Sequence, residues 1–183
     1  DACRKGVGCG RFLAYQVRAS EAAGELERLL DDWAQYENYL DDMVRTGVME
    51  DATEVRWDIR PAPRWGTIEV RACDGMSTLT ELAAVAALVQ VLVEHFSREL
   101  DEGHTLERLQ PWYVRENKWR AARYGLAADV ITPRKEEYLI HVDDGIRMWA
   151  DIVAPIADEL GCAEELGHVL ELVDRSEEHT SEL

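Results

Sequence analysis

With 183 residues, 46% of them hydrophobic and 31% charged, the chain can close one globular domain around a core. A formal net charge of −17 argues against a nucleic-acid partner, because phosphate recognition needs clustered Lys and Arg. The longest apolar stretch, Leu82 to Val93, is broken by Gln90 and falls short of the roughly 20 residues of a membrane span, so a soluble protein without a membrane partner is expected.

The opening Asp1-Ala2-Cys3-Arg4-Lys5 leads into glycines, which is not the pattern of a signal peptide. Residues 1–28 show no clear period beyond a weak helical tendency from Glu21 onward. Cys3, Cys9, Cys73 and Cys162 form no CxxC pair and have no metal-like spacing with the five histidines. Reduced thiols of a cytoplasmic protein are expected. Cys73 falls in a predicted strand and is expected to be buried.

Asp31 to Thr46 carries Trp33, Tyr36, Leu40, Met43 and Val44 at three-to-four spacing, with Gly47 placed to end it, which predicts an amphipathic helix. Two segments of period two come next. In Glu54 to Arg60, Val55, Trp57 and Ile59 alternate with charges; in Gly66 to Cys73, Ile68, Val70 and Ala72 alternate with Thr67, Glu69 and Arg71. Both predict strands with one face on a core. Pro61-Ala62-Pro63-Arg64-Trp65 should continue neither strand, since proline removes ladder donors.

Thr78 with Glu81 three residues later predicts a capping box opening a long helix from Leu79 to Leu100. That helix is apolar nearly all round in its first half and is expected to be central and buried. Pro111 suits the first turn of a helix over Trp112 to Tyr124, stopped by Gly125. Ala128 to Ile140 predicts a short hairpin around Pro133-Arg134-Lys135. Asp143 to Leu160 predicts a helix ended by Gly161, and Ala163 to Val173 a last one. The expected fold class is α+β. The tail Arg175 to Leu183 resembles the translation of a sequencing-library adaptor and is expected to have no biological role.

Chemistry concentrates on the charged face of the two strands: Arg56, Asp58 and Arg60 on one, Glu69 and Arg71 on the other. Two interpretations stay open from the pattern. A solvated face would carry cross-strand ion pairs of about 0.2–1 kcal/mol each. A cavity wall would use Glu69 as a hard oxygen ligand for Mg²⁺ and Arg71 to spread charge on a transferred phosphoryl group. A second concentration, Arg115, Lys118, Arg120 and Arg123 with the single acid Glu116 among them, is a candidate anion site or a salt-bridged helix surface.

The stretch Arg56-Trp57-Asp58-Ile59-Arg60-Pro61, then Gly66-Thr67-Ile68-Glu69-Val70-Arg71-Ala72-Cys73-Asp74-Gly75, resembles the core motif of the bacterial carboxylate–amine ligases, also called glutamate–cysteine ligase type 2. The run from Trp112 to Leu126 resembles that family's second signature. The likeness covers residues 31–174 and is strongest to the actinobacterial branch. It implies part of a glutamine synthetase-like antiparallel sheet packed on long helices, with the fold incomplete. It further implies Glu69 as a metal ligand and Arg71 as a contact to phosphate or a substrate carboxylate. Arg60 and Asp58 join Arg71 as catalytic candidates, and Asp74, Asn117, Arg120 and Arg123 are substrate- or ATP-binding candidates.

The reaction implied is two-step: ATP phosphorylates the glutamate γ-carboxylate, and the amine of cysteine, or another amine, displaces phosphate from the acyl phosphate. ATP and Mg²⁺ are the implied cofactors, and a homo-oligomer is compatible with the family. Two departures stand out. The family's earlier half, with further metal-binding acids, has no counterpart in the chain, and residues 1–28 read as though from another frame. The chain alone is therefore expected to be inactive. The alternative is a non-catalytic module of the same fold that binds a nucleotide or metabolite.

Overall fold

The computed structural model describes residues 33–55, 57–73, 75–106, 109–133 and 138–181, and the chain divides into two units, residues 1–74 and 75–183. Among the described residues the architecture is α+β, with two separate two-stranded sheets and longer helices.

In the first unit, helix α1 spans Trp33–Arg45. Its periodic aromatic face packs against the segment that leads from it into the first sheet. Tyr36, Met49, Val55 and Trp57 are the buried cluster, with Tyr39, Leu40 and Met43 beside them. Gly47, at φ 72°, reverses the chain after the helix in a conformation that side chains with a Cβ resist. The rings of Tyr36 and Tyr39 both lean on Trp57, at centroid distances of 5.7 and 5.2 Å.

The expected strand over Glu54 to Arg60 is displaced. Ala52–Glu54 form a 3₁₀ turn capped by Asp51, and strand β1 is Ile59–Ala62. It pairs antiparallel with β2, Thr67–Val70, in the register Ile59↔Val70, Arg60↔Glu69, Pro61↔Ile68. Pro61 thus lies inside a strand, contrary to expectation. The reason is register. The Arg71 N–H donates to the Asp58 carbonyl at 2.6 Å, which makes Asp58↔Arg71 a hydrogen-bonded pair. Alternation then makes Pro61↔Ile68 a non-hydrogen-bonded pair, in which the nitrogen of residue 61 points away from β2. No ladder donor is lost. Pro63–Trp65 and Gly66, at φ 62°, close the hairpin.

In the second unit, α2 spans Leu79–Asp101 and opens on the expected capping box: Glu81 N–H donates to Thr78, and the Thr78 and Ser77 N–H groups donate to the Glu81 carboxylate. Helix α3 is Pro111–Tyr124, β3 is Asp129–Ile131 and β4 is Leu139–His141. Helix α4 is Val142–Leu160 and α5 is Ala163–Ser181, which carries the last helix well past Val173 and into the adaptor-like tail. Ala84 and Val91 of α2, Val153, Ile156 and Ala157 of α4, and Leu166 and Val169 of α5 form one buried core. Arg98 of α2 reaches Glu159 of α4, and Arg147 of α4 reaches Asp174 of α5, across the rims of that core.

Helix α2 is not buried all round. Only Ala84, Ala87 and Val91 are buried along it, while Leu79 is 83% exposed and Leu82, Val93 and Leu100 are also exposed. Leu88 and Leu92 are packed beside Ala84 and Val91, partly buried against the same core. The count of a dozen apolar residues also understates this helix: an 18-residue window of it has mean hydropathy 1.5, and by length and composition alone it could cross a membrane. Cys73 comes after β2 and is exposed, not buried in a strand, whereas Cys162 is partly buried against the helical core.

Candidate functional site

The hairpin gathers four of the expected residues on one face. In an antiparallel pair, directly opposed side chains share a face, as do residues two apart on one strand. Arg60 stands opposite Glu69, Asp58 opposite Arg71, and Glu69 and Arg71 are two apart on the same chain segment. The side chains use that proximity. Arg60 Nη2 donates to Glu69 Oε2, and Arg71 Nη1 donates to Glu69 Oε1 at 2.8 Å, so each carboxylate oxygen holds one guanidinium. Arg60 also donates through Nη1 to the Thr53 carbonyl. Asp58 is engaged as well.

This face is the better shielded of the two. Asp58, Arg60, Glu69 and Arg71 are all partly buried, whereas on the apolar side Ile59 and Ile68 are exposed and Pro61 and Val70 partly buried. A freely solvated charged face is therefore not what the hairpin presents. The turn at Ala52–Glu54 folds over Arg60, and the ion-paired triad lowers the cost of removing its charges from water. Charge-assisted bonds of this kind are stronger than neutral ones, and partial burial protects them from salt.

Tyr36 is the contributor that sequence patterning misses. It is buried in the α1 cluster, and burial pushes its hydroxyl above the ordinary tyrosine range, partly offset by the positive charge of Arg60. Among the described residues, neither the Tyr36 hydroxyl nor the Trp57 indole N–H has a hydrogen-bond partner. The periodic spacing of α1 marks Tyr36 as core, and nothing in the pattern of α1 ties it to an arginine two dozen residues away. Thr53 acts through its backbone carbonyl, which leaves no trace in the identity of the residue.

The second-signature residues do something different. Asn117 grips strand β3: its Nδ2 donates to the Ile131 carbonyl at 2.8 Å, and its Oδ1 accepts from the Ile131 N–H at 2.7 Å. The side-chain amide stands in for one residue of a neighbouring strand. Arg120 pairs with Glu116 at 2.8 Å and donates to the Asp129 carbonyl at 3.2 Å, anchoring the other end of β3. Arg123 lies over the Tyr124 ring, 6.0 Å from its centre. Arg115 and Lys118 are engaged too. Asp74 and Arg56 lie outside the described residues.

Mg²⁺ takes near-octahedral oxygen ligands at about 2.0–2.1 Å and usually enters through one or two carboxylates plus water. Glu69 offers the right atom type, but both of its oxygens already accept from cations. As placed, the described residues of the hairpin do not fit that ion. Among the described residues, one group of three ligand atoms lies within 4.8 Å of one another: Glu99, Glu102 and His104, at the end of α2. The spacing of histidines and cysteines gives no sign of it, because two of the three are carboxylates. His104 Nδ1 lies 2.9 Å from Glu99, and an exposed hydrogen bond accounts for that contact.

Comparison with known proteins gives these residues a family. A family model described as glutamate–cysteine ligase family 2 matches residues 11–180, extending on both sides of the 31–174 stretch. A protein of Leifsonia xyli named "Putative glutamate--cysteine ligase 2" is 56% identical over 138 residues, which cover 75% of this chain and 36% of that protein. A namesake in Clavibacter sepedonicus is 50% identical over 154 residues, covering 84% of this chain and 40% of the relative. A Corynebacterium efficiens protein with the same name and the suffix 2-1 is 43% identical over 175 residues, covering 96% of this chain and 45% of its own. The chain thus spans less than half the length of these relatives, and it belongs to glutamate–cysteine ligase family 2.

Proposed function

We propose that the β1–β2 hairpin is one wall of a site that, in a longer protein, joins the γ-carboxylate of glutamate to the amine of cysteine, or another amine, using ATP. The observation that carries this is the register that sets Arg60, Glu69 and Arg71 side by side on a shielded face, in a chain of this family. The sheet would be a portion of a larger, glutamine synthetase-like one.

The chemistry needs few groups that make or break bonds. A carboxylate oxygen attacks the γ-phosphorus of ATP, the bond to the bridging oxygen breaks, and ADP leaves. The amine nitrogen then attacks the acyl carbon, the amide forms as the C–O bond to phosphate breaks, and the nitrogen gives up a proton. Negative charge moves among phosphate and carboxylate oxygens throughout. Fixed guanidinium donors stabilise that charge without reorganising at the moment of reaction. Arg71 and Arg60 are the residues for this role, with Asp58 tying the Arg71 backbone across the hairpin. Asn117 and Arg120 fix β3 within the helical unit. ATP belongs to the proposal as substrate; a Mg²⁺ ion accompanying it would need ligands beyond the hairpin as placed.

The alternative is a binding module of the same fold without turnover. One pair of assays separates the two. The complete protein, given ATP, glutamate and a panel of amines, should yield a γ-glutamyl product and phosphate, whereas the 183-residue chain should release no phosphate. Absence of any γ-glutamyl product from the complete protein would sink the ligase proposal. Phosphate release by the short chain would show that its site is already sufficient.

A further inference from the structure

The end of α2 gathers ligand atoms of a different chemistry, within the helical unit. Glu99 and the capping residue Glu102 are three positions apart and share one side of the helix. Gly103, at φ 83°, then turns the chain back: its N–H donates to the Leu100 carbonyl at 3.0 Å, and the His104 N–H donates to the Glu99 carbonyl at 2.9 Å. These two bonds make a Schellman motif, which brings the residue at His104 over the residue at Glu99, a position where an apolar contact is the common filling. Here the contact is an imidazole against a carboxylate. We propose that Glu99, Glu102 and His104 form a binding site for a transition-metal dication of the zinc class.

Distances, ligand type and charge agree on this. A tetrahedral zinc ion with bonds of about 2.0–2.2 Å to nitrogen and oxygen holds its ligand atoms about 3.3–3.6 Å apart. His104 Nδ1 lies 2.9 Å from Glu99 Oε2 and 3.8 Å from Glu102 Oε2, so the two separations bracket that spacing. One imidazole nitrogen therefore faces both carboxylates, which an acidic patch alone does not provide. Imidazole suits zinc, copper and nickel, whereas Mg²⁺ prefers oxygen ligands. Arg98, beside Glu99 in the chain, is drawn away to Glu94 and Glu159. Among the described residues no Lys or Arg pairs with Glu99 or Glu102, and the helix C-terminus adds further negative partial charge. The ion takes the place of the hydrogen shared by His104 and Glu99, and the neutral imidazole then carries its hydrogen on Nε2. Water completes the coordination.

An ion held in this way ties the residue beyond α2 to the last turn of the helix, so its binding energy becomes stability of that helix end. The site is independent of the hairpin and of the ligase chemistry proposed for it. Other histidines and the cysteines also take up zinc, so the test is a comparison of variants. Zinc sulfate is titrated into the purified chain and into His104→Ala and Glu102→Gln, with binding followed by calorimetry. Each substitution should weaken one zinc equivalent by at least about tenfold, since even partners outside the ligand set are worth that much to metal affinity. His168→Ala, whose ring pairs with Glu171 on α5, should leave that equivalent unchanged. Zinc should also raise the melting temperature of the parent more than that of His104→Ala.

Repeating the titration in excess Mg²⁺ separates a zinc-class site from an acidic surface open to any dication. Zinc binding should persist there. Its loss to Mg²⁺ would overturn the proposal, and so would equal zinc binding by the parent, His104→Ala and Glu102→Gln. Far-UV circular dichroism checks that the variants are folded. Should His104→Ala disturb the helix end, His104→Gln replaces it, because glutamine keeps a polar side chain there without an imidazole nitrogen, and the same loss is expected.

Discussion

The two units of this chain are held together by different physics. The helical unit, residues 75–183, has an apolar interior in which Val91, Val153 and Ala157 are sealed from solvent by three helices. The unit carrying the hairpin has a smaller cluster of aromatic and aliphatic side chains, and its strands add a network of charge-assisted bonds on the shielded face. Apolar packing is non-directional and tolerates small shifts; a guanidinium–carboxylate network holds only at the right distances and angles. The contrast places non-directional packing in the helices and directional charge in the hairpin.

The contrast can be broken most forcefully in the helices. Val153→Asp places an unpaired carboxylate in the sealed core and should cost on the order of 3–5 kcal/mol. Urea unfolding followed by circular dichroism checks it; a loss under about 1 kcal/mol would mean that water reaches this position.

Next in size is Asn117→Ala, which strips both partners from the Ile131 backbone. A loss of about 1–3 kcal/mol is expected. Hydrogen exchange at the Ile131 amide should accelerate by about tenfold or more, and an unchanged rate would show that the amide grip is not what holds β3.

The hairpin unit offers a change of opposite sign. Tyr36→Phe removes a buried hydroxyl without a partner and should be neutral or stabilising by up to about 1 kcal/mol. Its pH signature is also defined. Because the folded-state hydroxyl titrates above the ordinary tyrosine range, its contribution is fully present below about pH 10 and is lost as pH rises through the folded value. The variant should therefore lose less stability than the parent on alkaline titration. Equal loss in both would remove Tyr36 from the account.

The smallest effect belongs to His141, at the start of α4. Hydrogen bonding to Asp143 raises its pKa above the usual histidine range, with the Asp143, Asp129 and Asp144 charges adding and desolvation opposing. Its stabilising contribution is present at acid pH, below the unfolded value of about 6.5, and is lost as pH rises through the folded one. Exposure of the side chain to solvent keeps that contribution small. Titration by NMR should give a lower value in Asp143→Asn; no change would assign the shift to the other acids.

The helices are the legible part of this sequence, because each is bracketed by local chemistry. Thr78 and Glu81 cap α2, Pro111 starts α3, and Gly125 and Gly161 come directly after the helices they end. Burial along α2 is not legible in the same way: hydrophobic content alone does not say which side receives a neighbour, and here Leu79, Leu82, Val93 and Leu100 are left exposed. Strand β1 starts several residues later than alternation suggests, since Val55 and Trp57 are buried without being in a ladder. Alternation reports burial on one side, and a 3₁₀ turn leading into extended chain can supply it. The charged set Asp58, Arg60, Glu69 and Arg71 is visible from spacing, and the family likeness gives it meaning. Its anchors within the fold, the Thr53 and Asp58 carbonyls, cannot be read, because backbone groups carry no sequence signature.

Pro61 decides on which side the small sheet can grow. Its nitrogen faces outward from the hairpin and carries no hydrogen, so a strand laid along the outer edge of β1 would meet a missing rung there. On β2 the same alternation turns the N–H groups of Ile68 and Val70 outward, two successive rungs ready for a partner. One imino acid thus gives the hairpin a closed edge and an open one. Any strand that extends this sheet is directed to the edge of β2, the strand that carries Glu69.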